Sequence, residues 1–191
     1  MKLKVSVVVG NPKPQSRTLK IAEMLVDELL VPGSYDLTVI DLAEHTDEIF
    51  RWPSESMSVL NAAVADSDLV VVASPTYKAT YTGLLKAFLD RYPANGLRGV
   101  TAIPLMTGGD LTHALGPTVS LAPLLTELGA SVPTRGLYFV TAAMDRADEI
   151  VRETAQEYAM TLASLASFSS RLRPAAEPEP ALSLTHDGGA S

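Results

Sequence analysis

The chain has 191 residues, of which 47% are hydrophobic and 19% charged, and this is enough for one well-buried domain. Its net charge of −7 argues against nonspecific binding to nucleic acid or to an anionic membrane surface. It has no cysteine, which excludes disulfides and thiolate chemistry, and no apolar run approaches the roughly 18 residues of a membrane span, so we expect a cytoplasmic protein.

Apolar runs rich in β-branched residues alternate with segments of helical periodicity. The runs predict strands at residues 3–9, 35–41, 69–74, 100–106 and 131–140. The periodic segments predict helices at residues 16–30, 54–65, 81–92 and 147–168, and a helical region that ends near residue 128 and is interrupted at Gly116-Pro117. The polar segment 44–56 is predicted to cross the surface.

Five alternations of strand and helix predict an α/β fold, a doubly wound parallel sheet with helices on both faces. The domain would occupy residues 1–168, and residues 169–191, rich in Pro, Glu, Ser and Gly, would form a disordered tail. The continuous apolar run at residues 69–74 is typical of a central strand, buried on both sides. Because ligands of such sheets bind beyond the carboxyl ends of the strands, the loops there are the candidates for function.

The loop after the first strand has the residue types of a phosphate site. Ser16, Arg17 and Thr18 coincide with a predicted helix start, where free backbone N–H groups and the helix dipole attract anions. The alternative is an ordinary serine N-cap with solvated basic side chains. Neither G-x-G-x-x-G nor G-x-x-x-x-G-K-[ST] occurs, so we expect a mononucleotide phosphate.

The loop after the third strand begins Pro75-Thr76-Tyr77-Lys78 and precedes a predicted helix. A planar aromatic ligand would stack there while backbone amides bind its polar edge. Alternatively, Tyr77 and Tyr81 simply cover the end of the sheet.

The loop after the fourth strand is Thr107-Gly108-Gly109, followed by His113. Because glycine has no Cβ, the backbone of this loop would be able to approach a ligand closely. His113 would either contact that ligand or serve as a structural hydrogen-bonding group. No Ser-His-Asp triad or carboxylate pair can be assembled with specificity, and His45 and His186 are too dispersed to predict a metal site.

These three loops together resemble the flavodoxin-like NAD(P)H-dependent FMN reductases, over about residues 3–165. Within that family the chain is most similar to the reductases that serve two-component alkanesulfonate monooxygenases. Asn11 stands where serine is usual, Lys13 where arginine is usual, and Gly116-Pro117 where those reductases have a continuous helix at a subunit interface.

The resemblance implies the strand order 2-1-3-4-5, bound FMN, and NADPH or NADH as the hydride donor. It also implies cofactor binding by Asn11, Lys13, Ser16, Arg17, Thr18, Pro75, Thr76, Tyr77, Lys78, Thr107, Gly108, Gly109 and His113. The flavin would carry the hydride transfer without a catalytic side chain. A homodimer or homotetramer and a partner monooxygenase are further expectations.

Two alternative functions remain for a protein of the same fold. One is a quinone, azo-dye or chromate reductase that retains FMN as a prosthetic group. The other is a noncatalytic, flavodoxin-like electron carrier, although the first loop lacks the run of Thr and Ser that is typical of flavodoxins.

Overall fold

The computed structural model describes residues 1–169 and Leu172. Its sheet has five parallel strands, each built from residues that favour a pleated, buried surface. The strands are β1 (Leu3–Val9), β2 (Tyr35–Asp41), β3 (Leu69–Pro75), β4 (Thr101–Gly108) and β5 (Leu137–Val140). Their order across the sheet is β2-β1-β3-β4-β5, so the predicted doubly wound, flavodoxin-like topology is confirmed.

Helices pack on both faces of this sheet. They are α1 (Arg17–Leu29), α2 (Glu55–Ala65), α3 (Gly83–Leu89), α4 (Ala122–Glu127) and α5 (Ala147–Ser169). α1 and α5 bury apolar residues against one face, and α2, α3 and α4 do so against the other. A search of residues 1–169 finds no helix with the length and apolarity to cross a membrane.

β3 is the most deeply buried strand. All seven of its residues are buried, and its side chains alternate between the two cores. Val71 and Ala73 face α1, whereas Val70 and Val72 face α3. The continuous apolar run was therefore a reliable signal of a central strand, since both of its faces are covered.

The boundaries near the carboxyl side of the chain differ from the predicted ones. β5 begins only at Leu137, because Pro133 cannot donate to a ladder, and a single bridge from Ser131 to Thr101 precedes it. β4 continues through Gly108, which pairs with Val140. α3 begins at Gly83, because the Thr82 hydroxyl caps it by accepting from the Leu85 backbone N–H (3.1 Å).

The region predicted as an interrupted helix consists of turns, a π-helical turn at Pro117–Leu121, and α4. Gly136 allows the chain to pass close to this turn, since a Cβ there would lie 2.2 Å from Pro117 Cβ. The predicted disordered tail lies outside the described residues, apart from Ser169 and Leu172.

The segment 44–56 was predicted as a surface connection, but it is anchored. Ile49 is buried, and Arg91 donates to the carbonyl oxygens of Ile49 (3.1 Å) and Arg51 (3.0 Å). The Arg91 guanidinium carbon also lies 4.2 Å from the centre of the Trp52 ring. Arg91 therefore holds this segment against the end of α3.

Gly10 directly follows β1 and lies against Leu85 of α3. Its substitution tests how closely these two elements approach each other. A Cβ at Gly10 would lie 2.3 Å from Leu85 Cβ, so we expect Gly10→Ala to lower the free energy of unfolding by about 1–3 kcal/mol. Urea unfolding measures this loss. Gly83→Ala is the matched control, because no atom lies within 4 Å of its Cβ position; a similar loss in both variants would contradict the close-approach argument.

Candidate functional site

A cleft of about 340 Å³ opens at the carboxyl edge of the sheet, where β1, β3, β4 and β5 end. Most of its lining comes from the three loops that the sequence singled out. The lining residues are Asn11, Lys13, Gln15, Ser16, Arg17, Thr18, Pro75, Thr76, Tyr77, Thr107, Gly108, Gly109 and Thr141. The structure thus brings together eleven of the thirteen predicted binding residues.

The amino terminus of α1 faces the cleft. Ser16 caps it, with its hydroxyl accepting from the Leu19 backbone N–H (3.2 Å), so the N-cap interpretation of Ser16 is correct. This cap leaves other first-turn N–H groups without helical partners, and they suit an anion. Arg17 is exposed and reaches across to the far side of the cleft, where its Nη1 lies 3.5 Å from the Thr141 carbonyl oxygen.

The loop before α1 is fixed by two side chains. Asn11 Oδ1 accepts from the Lys13 backbone N–H (3.0 Å), and the buried Asp41 carboxylate accepts from the Gln15 backbone N–H (3.0 Å). Gln15 itself has φ = 49°, a left-handed conformation that is unusual for a residue with a Cβ. These bonds shape the loop around the amino terminus of α1.

The loop after β3 makes a tight turn from Tyr77 to Thr80. The Tyr77 backbone N–H donates to the Thr80 carbonyl (2.9 Å), and the two central residues, Lys78 and Ala79, both have positive φ (52° and 74°), as in a type I′ turn. Tyr77 lines the cleft with its side chain half-exposed, whereas Tyr81 packs into the core beside α3. The sheet-covering interpretation therefore holds for Tyr81.

Hydrogen bonds fasten the first two loops to each other. The Thr82 hydroxyl donates to the Gly10 carbonyl, and the Thr82 backbone N–H donates to Ser74 Oγ (3.0 Å). Ser74 in turn donates to the Pro75 carbonyl (2.9 Å). All of these hydroxyls are buried, so the loops have a defined relative position.

Thr76 joins the second loop to the third. Its backbone N–H donates to the Thr107 carbonyl (2.7 Å), but its hydroxyl oxygen is buried and has no hydrogen-bond partner within residues 1–169. A buried polar atom without a partner is uncommon, and in a cleft it points to a ligand that supplies one.

The two glycines of the third loop have different roles. A Cβ at Gly108 would lie 1.8 Å from the Tyr138 hydroxyl oxygen, so the missing side chain makes room for Tyr138. Apart from its chain neighbours, no described residue has an atom within 4 Å of the Cβ position of Gly109, as expected of backbone that a ligand could approach. In the same loop, the Thr112 hydroxyl and backbone N–H lower the pKa of the exposed Asp110.

Lys78 and His113 do not line the cleft. Lys78 occupies the tip of the turn, and His113 lines an adjacent hollow of about 330 Å³ together with Ala79 and Leu115. Conversely, Gln15 and Thr141 line the cleft although neither was predicted from the sequence. Thr141 directly follows β5, so the rule that strand ends carry ligands would have found it.

The residues present fit an FMN molecule. The helix terminus, Ser16 and Arg17 suit its phosphate, and the unpartnered Thr76 hydroxyl suits a polar atom elsewhere on the flavin. Pro75 and Tyr77 offer an apolar wall for a ring.

Comparisons with known proteins agree with this chemistry. Residues 3–145 match the profile of the NADPH-dependent FMN reductase family. The chain is 30% identical over 138 residues to an FMN reductase (NADPH) of Escherichia coli K12, covering 71% of this chain and 72% of that protein. It is 31% identical over 150 residues to the NADH-dependent FMN reductase SfnF of Pseudomonas putida, covering 75% and 81%.

A solved structure agrees as well. The apo form of an NADH:FMN oxidoreductase (EMOB) superposes with a TM-score of 0.72 at 27% identity, covering 84% of this chain and 90% of that one. The resemblance inferred from three short loops is therefore confirmed, and the chain belongs to the NADPH-dependent FMN reductase family.

Proposed function

We propose that the chain transfers a hydride from NADH or NADPH to FMN bound in the cleft, and that it supplies the reduced flavin to a separate monooxygenase. The proposal rests on a cleft whose loops are hydrogen-bonded to one another. The amino terminus of α1 and Arg17 lie at one end of the cleft, and the buried Thr76 hydroxyl, which has no partner within residues 1–169, also lines it. The monooxygenase is supported by the resemblance to reductases of two-component systems and by the likeness to SfnF.

FMN, when bound, supplies the redox chemistry by accepting the hydride at N5. The protein's own residues bind and orient it. Ser16, Arg17, Lys13 and the first-turn N–H groups of α1 would hold the phosphate, because they combine positive charge with free donors. Pro75 and Tyr77 would contact the ring, and Thr76 would hydrogen-bond it.

No side chain of the cleft needs to act as an acid or base. Apart from the basic side chains of Arg17 and Lys13, the lining consists of hydroxyls, amides, glycines, a proline and a tyrosine. Positioning of two rings is therefore the protein's main contribution to the rate.

We assign the hollow beside the Tyr77–Thr80 turn to the nicotinamide cofactor. It is lined by Ala79 and His113, and Lys78 lies at the exposed tip of the same turn. These two predicted binding residues would therefore contact NADH or NADPH rather than FMN.

The resemblance also supports a homodimer or homotetramer, which sedimentation velocity of the purified chain would measure. Leu111, Leu115 and Val119, which line the hollow, are exposed apolar side chains that a second copy of the chain would cover. We further propose that the reaction takes place in the cytoplasm.

Turnover of the purified protein tests the reaction. We expect oxidation of NADH or NADPH that depends on added FMN, because the reduced flavin is proposed to leave. Steady-state absorbance at the nicotinamide band measures it. A yellow protein whose activity ignores added FMN would contradict free exchange, and a yellow protein without any NADH or NADPH oxidation would favour the electron carrier.

Arg17 tests the phosphate assignment. We expect Arg17→Ala to weaken FMN binding about tenfold, as for the loss of a charge-assisted hydrogen bond, while binding of riboflavin, which lacks the phosphate, changes little. Quenching of flavin fluorescence measures both affinities. Lys20→Ala is the control, since Lys20 is exposed on the next turn of α1 and does not line the cleft. Equal losses for the two flavins would refute the assignment.

Thr76 tests whether the unpartnered hydroxyl is reserved for the flavin. We expect Thr76→Val to leave the melting temperature of the flavin-free protein unchanged or raised, because it removes a buried polar atom that has no partner. We also expect it to weaken FMN binding about fivefold to tenfold. Thr101→Val, at the opposite end of the sheet, is the control, and unchanged FMN affinity in Thr76→Val would be the contrary result.

A further inference from the structure

The hydroxyls of Thr18 and Thr107 form a buried pair at the floor of the cleft. Their oxygens lie 2.8 Å apart, and the two residues are 1% and 2% exposed. Thr18 belongs to the first turn of α1, and Thr107 to the end of β4. The pair therefore joins the end of the cleft that suits a phosphate to the loop that follows β4.

Asn11 supplies a hydrogen-bond donor to this pair. The Lys13 backbone N–H donates to Asn11 at 3.0 Å, which requires the amide oxygen at that position. The amide nitrogen therefore faces Thr18 Oγ1, 3.2 Å away. Because an amide nitrogen donates and does not accept, the Thr18 oxygen must be the acceptor.

The two threonine hydroxyls have two hydrogens between them. One hydrogen lies in the bond that joins the pair, and within residues 1–169 no hydrogen bond uses the other. Leaving a buried donor without an acceptor is unfavourable, so the remaining hydrogen suits an acceptor atom of a ligand.

We propose that Asn11 and Thr18 are positioning residues in a relay, Asn11 to Thr18 to Thr107, that directs the Thr107 hydroxyl hydrogen at an acceptor atom of bound FMN; this inference rests on the proposed function. We place Thr107 at the end of the relay because it lies beside a second polar group that suits a ligand. The Thr107 carbonyl accepts from the Thr76 backbone N–H, and the Thr76 hydroxyl has no partner within residues 1–169. In the opposite order, Thr107 would donate to Thr18, and Thr18 would present its hydrogen to the phosphate.

Reversal of the relay removes the hydrogen that it presents to the flavin. Asn11→Asp retains an oxygen for the Lys13 N–H but replaces the donor that faces Thr18 by a carboxylate oxygen. Thr18 must then donate to that carboxylate and Thr107 to Thr18, so the flavin meets an oxygen lone pair. We expect FMN affinity to fall at least about tenfold, partly through the added charge.

The decisive variant adds Thr18→Val to Asn11→Asp. Both proteins carry the same charge, but the double variant frees the Thr107 hydrogen for the flavin again. We expect FMN affinity to rise about tenfold over Asn11→Asp alone. If Thr18 instead donates to the phosphate in the wild-type protein, that hydrogen is already taken by the carboxylate in Asn11→Asp, and adding Thr18→Val would give no gain in affinity.

A second pair of variants does not involve Asn11. Thr107→Val should weaken FMN binding about tenfold, and Thr18→Val added to it should cost less than twofold, because Thr18 acts only through Thr107. Affinities come from flavin fluorescence quenching, and thermal melting of each variant without flavin confirms folding.

The results separate the relay from the function on which it rests. Wild-type protein that fails to bind FMN would overturn the proposed function. Wild-type protein that binds FMN, together with additive losses for Thr18→Val or no gain in the Asn11→Asp background, would overturn the relay alone.

Discussion

The site depends on hydrogen bonds that fasten three loops at one edge of the sheet. Gly10 is bonded to Thr82, Thr76 to Thr107, and Thr107 to Thr18, and each bond crosses from one strand end to another. Because the hydroxyls of Thr18, Thr82 and Thr107 are buried, these bonds are not weakened by competition with solvent. The cleft is therefore shaped before any ligand arrives, and binding needs little reorganisation.

The sequence predicted the part of the fold in which local pattern and tertiary burial agree. β3 is one uninterrupted apolar run and is covered on both faces, so its pattern has a single interpretation. β5 was predicted six residues too long, since residues 131–136 hold Pro133, which cannot donate to the ladder, and have one other apolar side chain, that of Val132.

The three loops that the sequence singled out lie together in the structure, whereas the surroundings of single residues in them depend on the rest of the fold. Loops at the carboxyl ends of parallel strands must lie together, which is why Ser16, Thr76 and Gly109 meet. The role of Gly108 is different, since only the fold brings the Tyr138 hydroxyl against its Cα. The place of His113 in the neighbouring hollow likewise depends on the turns that precede the π-helical segment, and no local signal specifies them.

The openness of the cleft bears on whether flavin leaves. Tyr77 is 52% exposed at the wall of the cleft, so a ring placed there would keep one side accessible. An accessible ring suits both a second, nicotinamide ring and release after reduction, because less apolar surface is buried than in an enclosed site. The polar contacts must then supply most of the selectivity for FMN. The paired hydroxyls of Thr18 and Thr107 suit this task, because one of their two hydrogens has no acceptor within residues 1–169. That hydrogen favours a ligand that places an acceptor atom beside it, and the ligand need not be enclosed.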